Sequence, residues 1–373
     1  MTTEAFPQQP SRLGLHVINA GYGESIVLEL PGDRWGVVDC YASKLDKPDL
    51  NPTLIFLRER SVQELEFVAL THPRADHYHG LKDLLEHVRV KAFWWFGGVS
   101  SSDLARLVNG LRVEAFEAKD RRRQYSARYL DRTFRTMIQQ RKAGTLMGTQ
   151  MADFKPLYPL PFGGAAEDVR IHALAPHTDT GQRYQEELHK CFQDEQLQAK
   201  LPEMNQNQIS AALLVEYGAT RLILGGDVES ESWEEVLTRV DPSRLKAHAV
   251  KVSHHGSRNG YCPTLWPTFC ARGQTVAIVT PSHPHALPNE NAIAHIRAST
   301  KQIVSTCTPA HTFSTEPQYD YWDAYEAGVQ LSLRAVFPTF MAEKPFSTGV
   351  CSFWFDNQGQ LQEAKLTPPA GAL

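Results

Sequence analysis

Apolar positions come in short runs near the start of the chain. Residues 13–18, 25–30 and 35–40 are rich in Val, Ile and Leu, and Pro31-Gly32-Asp33 punctuates the last two as a hairpin turn. Residues 65–70 form another apolar run that empties into Thr71-His72. From Gly80 onward, Leu81, Leu84, Leu85 and Val88 recur with helical period. Further strand-like runs occupy residues 168–175, 211–217, 221–224, 247–252 and 275–280, each ending near Gly, Pro or His. Helical stretches at 229–240 and 291–300 lie among them. This alternation predicts a mixed α/β sandwich rather than an all-strand or all-helix fold.

Residues 101–151 differ in character. Leu130, Phe134, Met137 and Ile138 fall at i, i+4, i+7 and i+8, while Arg128, Arg132 and Arg135 share another face, the signature of an amphipathic helix with a basic side. Nine Lys or Arg oppose two Asp between Lys119 and Lys142. Two uses stay open: a solvated helix face, or a contact to a phosphate backbone or phosphoryl group that makes Arg128 and Arg132 candidate substrate-binding residues. A second polar helical stretch is expected at 182–200, and residues 350–355 with Asn357-Gln-Gly read as a terminal hairpin. Tyr319, Tyr321, Trp322 and Tyr325 are either an aromatic packing layer or a stacking surface. The expected organisation is a single domain over 1–373, with a helical insertion at 101–165 and a C-terminal extension at 306–373 packed on the sandwich.

Composition adds exclusions. With 42% hydrophobic and 21% charged residues the chain can bury a core, so it is not a disordered or low-complexity sequence. A formal net charge of −4 rules out polyanion binding by bulk charge, leaving only local attraction. Six cysteines without a C-x-x-C pair argue against a disulfide framework or a thiolate zinc finger. The start of the chain is polar, and no apolar run approaches the length of a membrane span, so a cytoplasmic, unanchored protein is expected.

The fifteen histidines do change the picture, because they cluster. His72-Pro-Arg-Ala-Asp76-His77 places imidazole and carboxylate donors on one turn between a strand and a helix, where they can converge on a point beyond the strand end. Gly225-Gly226-Asp227 also follows a strand, its glycines allowing close backbone approach. His254-His255-Gly256-Ser257 and Ser282-His283-Pro284-His285 follow two more. Donors that all emerge at strand ends share one edge of a sandwich, and together they suggest a metal centre.

The ordered set Asn19-Ala-Gly-Tyr-Gly-Glu-Ser25, Val37-Val-Asp39, Thr71-His72 through Asp76-His77, Leu224-Gly-Gly-Asp227 and His254-His255-Gly-Ser257 resembles the metallo-β-lactamase superfamily. It is most similar to the branch found as the soluble domain of bacterial DNA-uptake channel proteins and in phosphorylcholine esterases. The resemblance runs from Leu13 to about Ile296 outside the inserts, and implies a four-layer αβ/βα sandwich with a metal site at one edge of the paired sheets. It further implies one ion held by His72, residue 74, a later histidine and Asp227, and a second held by Asp76, His77, Asp227 and His254 or His255. The following Gly256 favours His255. The family pattern has a ligand where this chain has Arg74, and a guanidinium has no lone pair to give. His177, in Ala-Pro-His-Thr, resembles the family's third histidine motif and is the expected repair, with His79 an alternative. His283 and His285 are expected as outer or substrate contacts, and Asp39 as an orienting partner of a ligand histidine.

The implied function is hydrolysis of a phosphodiester, nucleic acid included, by a water acidified by one or two Zn²⁺ or Mn²⁺ ions. Asp76 and Asp227 would hold metal and orient the nucleophile, and Arg74 would supply a fixed positive charge to a non-bridging phosphate oxygen. One rival is a catalytically degenerate binding or regulatory subunit of a multiprotein system, with the inserts as docking surfaces for a companion protein. Another keeps the hydrolase but changes the bond to an acyl one.

Overall fold

The computed structural model describes residues 11–19, 22–117, 121–160, 169–193, 205–270, 274–282, 285–307 and 348–373. His283 and the aromatic group at 319–325 lie outside the described residues.

In chain order the elements are β1 (Leu13–Asn19), β2 (Ser25–Leu30), β3 (Arg34–Val38), α1 (Pro52–Arg58), β4 (Glu64–Leu70), α2 (Ala75–Tyr78), α3 (Leu81–His87), β5 (Arg89–Trp95), α4 (Leu104–Glu117), α5 (Arg121–Lys142) and β6 (Met147–Gln150). There follow β7 (Pro156–Tyr158), β8 (Val169–Ala175), α6 (Thr178–Gln193), β9 (Ala212–Tyr217), β10 (Thr220–Leu224), α7 (Ser230–Leu237), β11 (Ala249–Lys251), α8 (Trp266–Phe269), β12 (Val276–Val279), α9 (Glu290–Ser299) and β13 (Gln302–Ser305). β14 (Gly349–Phe355), β15 (Leu361–Thr367) and β16 (Gly371–Ala372) end the described chain.

These strands build two eight-stranded sheets, ordered β15-β14-β1-β2-β3-β4-β5-β6 and β16-β13-β12-β11-β10-β9-β8-β7. Each is mixed. β3 to β6 run parallel in the first, as do β10 to β13 in the second, and the remaining neighbours are antiparallel.

Side chains alternate across each sheet because successive residues of a strand point to opposite faces. On β5, Trp94 faces inward, its ring stacked on Phe67 of β4 at 4.0 Å, while Phe93 and Trp95 face outward. The inward set meets Leu213, Val215, Leu222 and Ile278 of the other sheet in a central core. The outward set of the first sheet packs under α1, α3, α4, α5 and α6, and that of the second under α7, α8 and α9. Helix, sheet, sheet and helix therefore form a four-layer αβ/βα sandwich.

The apolar stripe of α5 behaves as its spacing predicts: Leu130, Phe134 and Met137 are buried and Ile138 packs against the same core. The helical part of the 101–165 stretch ends at Lys142, however. β6 pairs with β5 and β7 with β8, so the rest of that stretch supplies an edge strand to each sheet. Strands of four and three residues are too short to show a period. α6 begins at Thr178, four residues before the expected Gln182. The terminal hairpin is present as β14 and β15. Among the described residues, no helix is long and apolar enough to cross a membrane.

Candidate metal centre

The parallel halves of both sheets point their carboxyl ends at the same edge, the usual place for a ligand in open α/β sheets. β4 delivers Thr71, His72 and the turn into α2; β10 delivers Asp227; β11 delivers His254 and His255; β3 delivers Asp39. Backbone hydrogen bonds tie these loops together: Asp39 N–H donates to Ala69 O (2.8 Å), Glu24 N–H to Asp76 O (3.0 Å) and His254 N–H to Gly226 O (2.9 Å). Two glycines permit the approach. Gly23 (φ +71°) and Gly226 (φ +51°) are left-handed, and a β-carbon on either would lie 2.5 Å from a backbone oxygen, that of Asp76 or Ala211 respectively. Asp39, His254 and His255 are non-glycine residues held at φ of 55°, 48° and 54°. Such conformations cost about 1–3 kcal/mol each and persist where surrounding structure enforces them, as at functional sites.

Asp76, His77, Asp227 and His255 are all buried and each brings a ligand atom within 4.8 Å of the others. His77 Nε2 lies 3.4 Å and His255 Nε2 3.8 Å from Asp227 Oδ1, and His255 Nε2 is 3.4 Å from Asp76 Oδ2. All four carboxylate oxygens of Asp76 and Asp227, with Nε2 of His72, His77 and His255, are buried without a hydrogen-bond partner. Buried polar atoms normally find partners, so seven orphans gathered around Asp227 fit a cation, and oxygen and imidazole donors suit a divalent ion such as zinc or manganese.

The electrostatics agree with that demand. Burial alone would lower the His77 imidazole, yet the carboxylates of Asp227, Asp39 and Asp76 outweigh it and hold it well above the ordinary histidine range. Burial would raise Asp227, but His77 and His255 hold its carboxyl well below the usual range. Asp76 is likewise depressed, against burial, chiefly by the charge of His77. His72 is pushed well down by burial and by His77, which leaves it a neutral imidazole.

A second layer fixes the ligands. His77 Nδ1 hydrogen-bonds Asp39 Oδ2 at 2.8 Å, and Thr71 donates to the same carboxylate through N–H (2.8 Å) and Oγ1–H (2.7 Å). His255 Nδ1 donates to Thr280 O at 2.9 Å, and Thr280 Oγ1–H to Glu24 Oε2 at 2.7 Å. Glu24 in turn forms a wholly buried ion pair with Lys251. Partners that hold a ligand histidine in one tautomer and direction typically contribute about 10–100-fold in metal affinity. Asp39→Asn is accordingly expected to weaken zinc binding by about that factor, measured by competition with a chromophoric chelator. Unchanged affinity would show that His77 needs no such support.

The remaining predicted residues fall in different places. His72 faces Asp227, its Nε2 3.6 Å from Oδ2. Arg74 lies at the mouth, Nε 3.7 Å from Asp76 Oδ1 and Nη1 3.9 Å from Asp227 Oδ2. His254 is 3.9 Å from the same Asp227 oxygen. His177 is not brought to this cluster: it sits beside Asp153 (3.8 Å) and Asp179 (3.5 Å) in an open pocket with Arg183, Glu235 and Arg239. His79 turns to α5, its Nε2 3.1 Å from Ser126 Oγ, and burial pushes its pKa down to about 3. His285 is exposed at the rim, its ring 6.3 Å from Tyr22, and partial desolvation and the charge of Arg74 lower its pKa. On α5, Arg128 is exposed, and Arg132 donates to Asp46 at 2.7 Å.

Sequence reasoning missed Asn207 and Glu229, which flank Arg74. Arg74 Nη1–H donates to Asn207 Oδ1 (3.3 Å), and Asn207 Nδ2–H to Glu229 Oε1 (3.0 Å). It also gave no role to Lys251, although a lone cation in an otherwise apolar strand was a usable signal.

No protein-family model matches the chain, and no curated protein does. Among solved structures it is similar to Zn²⁺-bound PqqB from Methylobacterium extorquens, at 13% identity over 77% of this chain and 97% of that one, with a TM-score of 0.38. It is also similar to a diphosphatase from the PhnP family, at 11% identity over 78% and 93%, TM-score 0.36. A third is an archaeal metallo-β-lactamase superfamily protein, ST1585 from Sulfolobus tokodaii, at 15% identity over 64% and 78%, TM-score 0.31.

Proposed function

We propose that this chain is a metal-dependent hydrolase acting on a phosphodiester or related phosphoryl substrate. The observation that carries the reading is that buried, unpartnered ligand atoms of Asp76, His77, Asp227 and His255 lie within 4.8 Å of one another at the sandwich edge. Asp76, His77, Asp227 and His255 would hold the ion. Bound there, a divalent ion supplies Lewis acidity, the property that makes water a nucleophile near neutral pH and polarises a phosphoryl oxygen.

The chain's own groups do the rest. Asp39, Thr280 and Glu24 hold the ligand imidazoles in fixed tautomers. Arg74 keeps a guanidinium, its side chain 29% exposed, at the open side of the site, where it can pair with a non-bridging oxygen of an incoming phosphoryl group. Tyr22 and His285 form a rim that can accept the remainder of the substrate. Phosphorus rather than an acyl carbon is favoured by that fixed cation, because a phosphodiester brings a full negative charge and a neutral amide or ester brings none.

The test is direct. Chelator-stripped protein reloaded with Zn²⁺ or Mn²⁺ is expected to hydrolyse bis(p-nitrophenyl) phosphate or single- or double-stranded nucleic acid, with activity lost on chelation. If no phosphodiester is cleaved under either metal while an acyl ester is, the substrate class is wrong; if nothing is cleaved, the hydrolase reading fails.

One observation favours a second reading, a binding or regulatory subunit: Arg74 stands within 3.9 Å of Asp227 and 3.7 Å of Asp76, so a cation is already present. Those distances are too long for hydrogen bonds, and the carboxylate oxygens stay unsatisfied. The site still calls for an ion.

A further inference from the structure

Asp227 offers its two oxygens to two different corners. Oδ1 faces His77 and His255, the corner completed by Asp76. Oδ2 faces His72 Nε2 at 3.6 Å, His254 Nε2 at 3.9 Å and Arg74 Nη1 at 3.9 Å. The Thr71 hydroxyl is committed as a donor to Asp39 (2.7 Å), so it accepts from His72 Nδ1–H at 3.1 Å. That assigns the free lone pair of His72 to Nε2, pointing at the second corner. His72 and Asp227 give that corner two donors, His254 Nε2 accepts from Asn207 Nδ2–H at 3.3 Å, and the positive charge facing Oδ2 is Arg74.

Arg74 is placed rather than loose. Asn207 accepts its Nη1–H, and Asn207 is anchored to Glu229, which also accepts from Asn205 Nδ2 (3.0 Å) and Asn259 Nδ2 (2.7 Å). Four side chains from three loops thus fix the guanidinium beside Oδ2. A guanidinium cannot shed its proton to admit a second ion. At about 4–5 Å and intermediate dielectric, its repulsion of a divalent ion weakens binding on the order of a thousandfold or more.

We propose that Arg74 takes the place of a second metal ion: the chain binds one divalent ion, in the Asp76–His77–Asp227–His255 corner, and the outward side of the guanidinium holds a phosphoryl oxygen of the substrate. This rests on the metal-hydrolase reading and specifies how its site is divided. The ligand class is a tetrahedral oxyanion, which Arg74 would hold at the open side of the site.

Two measurements test it without using turnover. Chelator-stripped protein is reloaded with excess Mn²⁺ or Zn²⁺, freed of unbound ion and assayed by elemental analysis. Wild type and Arg74→Lys, which keeps the charge, are expected to hold one ion per chain, and Arg74→His, which adds a lone pair and removes the charge, close to two. Then, with one equivalent of Mn²⁺ bound, inorganic phosphate affinity is measured calorimetrically, and Arg74→Met is expected to weaken it by about tenfold or more. Two ions on the wild-type chain, or one on Arg74→His, overturns the replacement. Equal phosphate affinity in wild type and Arg74→Met overturns the oxyanion role. A wild-type chain that holds no ion defeats the hydrolase reading as well, whereas two ions defeat only this inference.

Discussion

Asp227→Ala is expected to abolish retention of a divalent ion and, with it, hydrolysis. The carboxylate is fully buried at the centre of the site, with His72, His77, His254, His255 and Arg74 all within 3.9 Å of one or other oxygen. Removing it withdraws the carboxylate whose Oδ1 lies beside both His77 and His255 in the ligand cluster. The loss should exceed the ~10–100-fold cost of an outer-layer change such as Asp39→Asn. Equilibrium dialysis with zinc, beside a thermal melt that establishes folding, provides the check. A folded Asp227→Ala chain that binds zinc as tightly as wild type would mean that the ion sits elsewhere.

Lys251→Met is expected to destabilise the fold by about 3–5 kcal/mol, the cost of breaking a buried ion pair by removing one partner. Lys251 and Glu24 are each 0% exposed, so an unpaired Glu24 would keep a desolvated charge between His77 and His255. Replacing both, Glu24→Gln with Lys251→Met, removes the stranded charge and should recover much of the loss, since contacting residues couple strongly in double-mutant cycles. Urea unfolding of the four proteins gives the answer. A single-variant loss below about 1 kcal/mol, or additive losses in the pair, would show that Glu24 finds other compensation.

The elements that position the site were legible because each carried a local signal. Buried strands read as continuous apolar runs, α5 showed its stripe, and Asp76 and His77 stood next to each other on a turn whose chemistry is sequential. What stayed hidden is joined only in space. Arg74 and Asn207 are 133 residues apart, and no spacing rule links an asparagine on one loop to a guanidinium on another. His177 shows the converse: its neighbours in sequence resemble a ligand motif, yet its ring lies with Asp153 and Asp179, away from the cluster. Gly256 favoured His255 over His254 only by resemblance, because the backbone twist that separates them, two left-handed residues in succession, decides which ring faces which oxygen of Asp227. His255 shares Oδ1 with His77, and His254 looks toward Oδ2.

The pairing of β1 with β14 bears on how the protein assembles in time. Leu13 lies opposite Phe355 and Asn19 opposite Gly349, so β1 completes its ladder only once β14, far later in the sequence, has been made. Until then the free edge of β1 and the apolar inner face of its sheet stand open to the wrong neighbour. Contacts of such sequence separation make for slow folding and a long exposure of sticky intermediates. The edge of the sheet that carries His72, Asp76 and His77 is therefore completed late in folding.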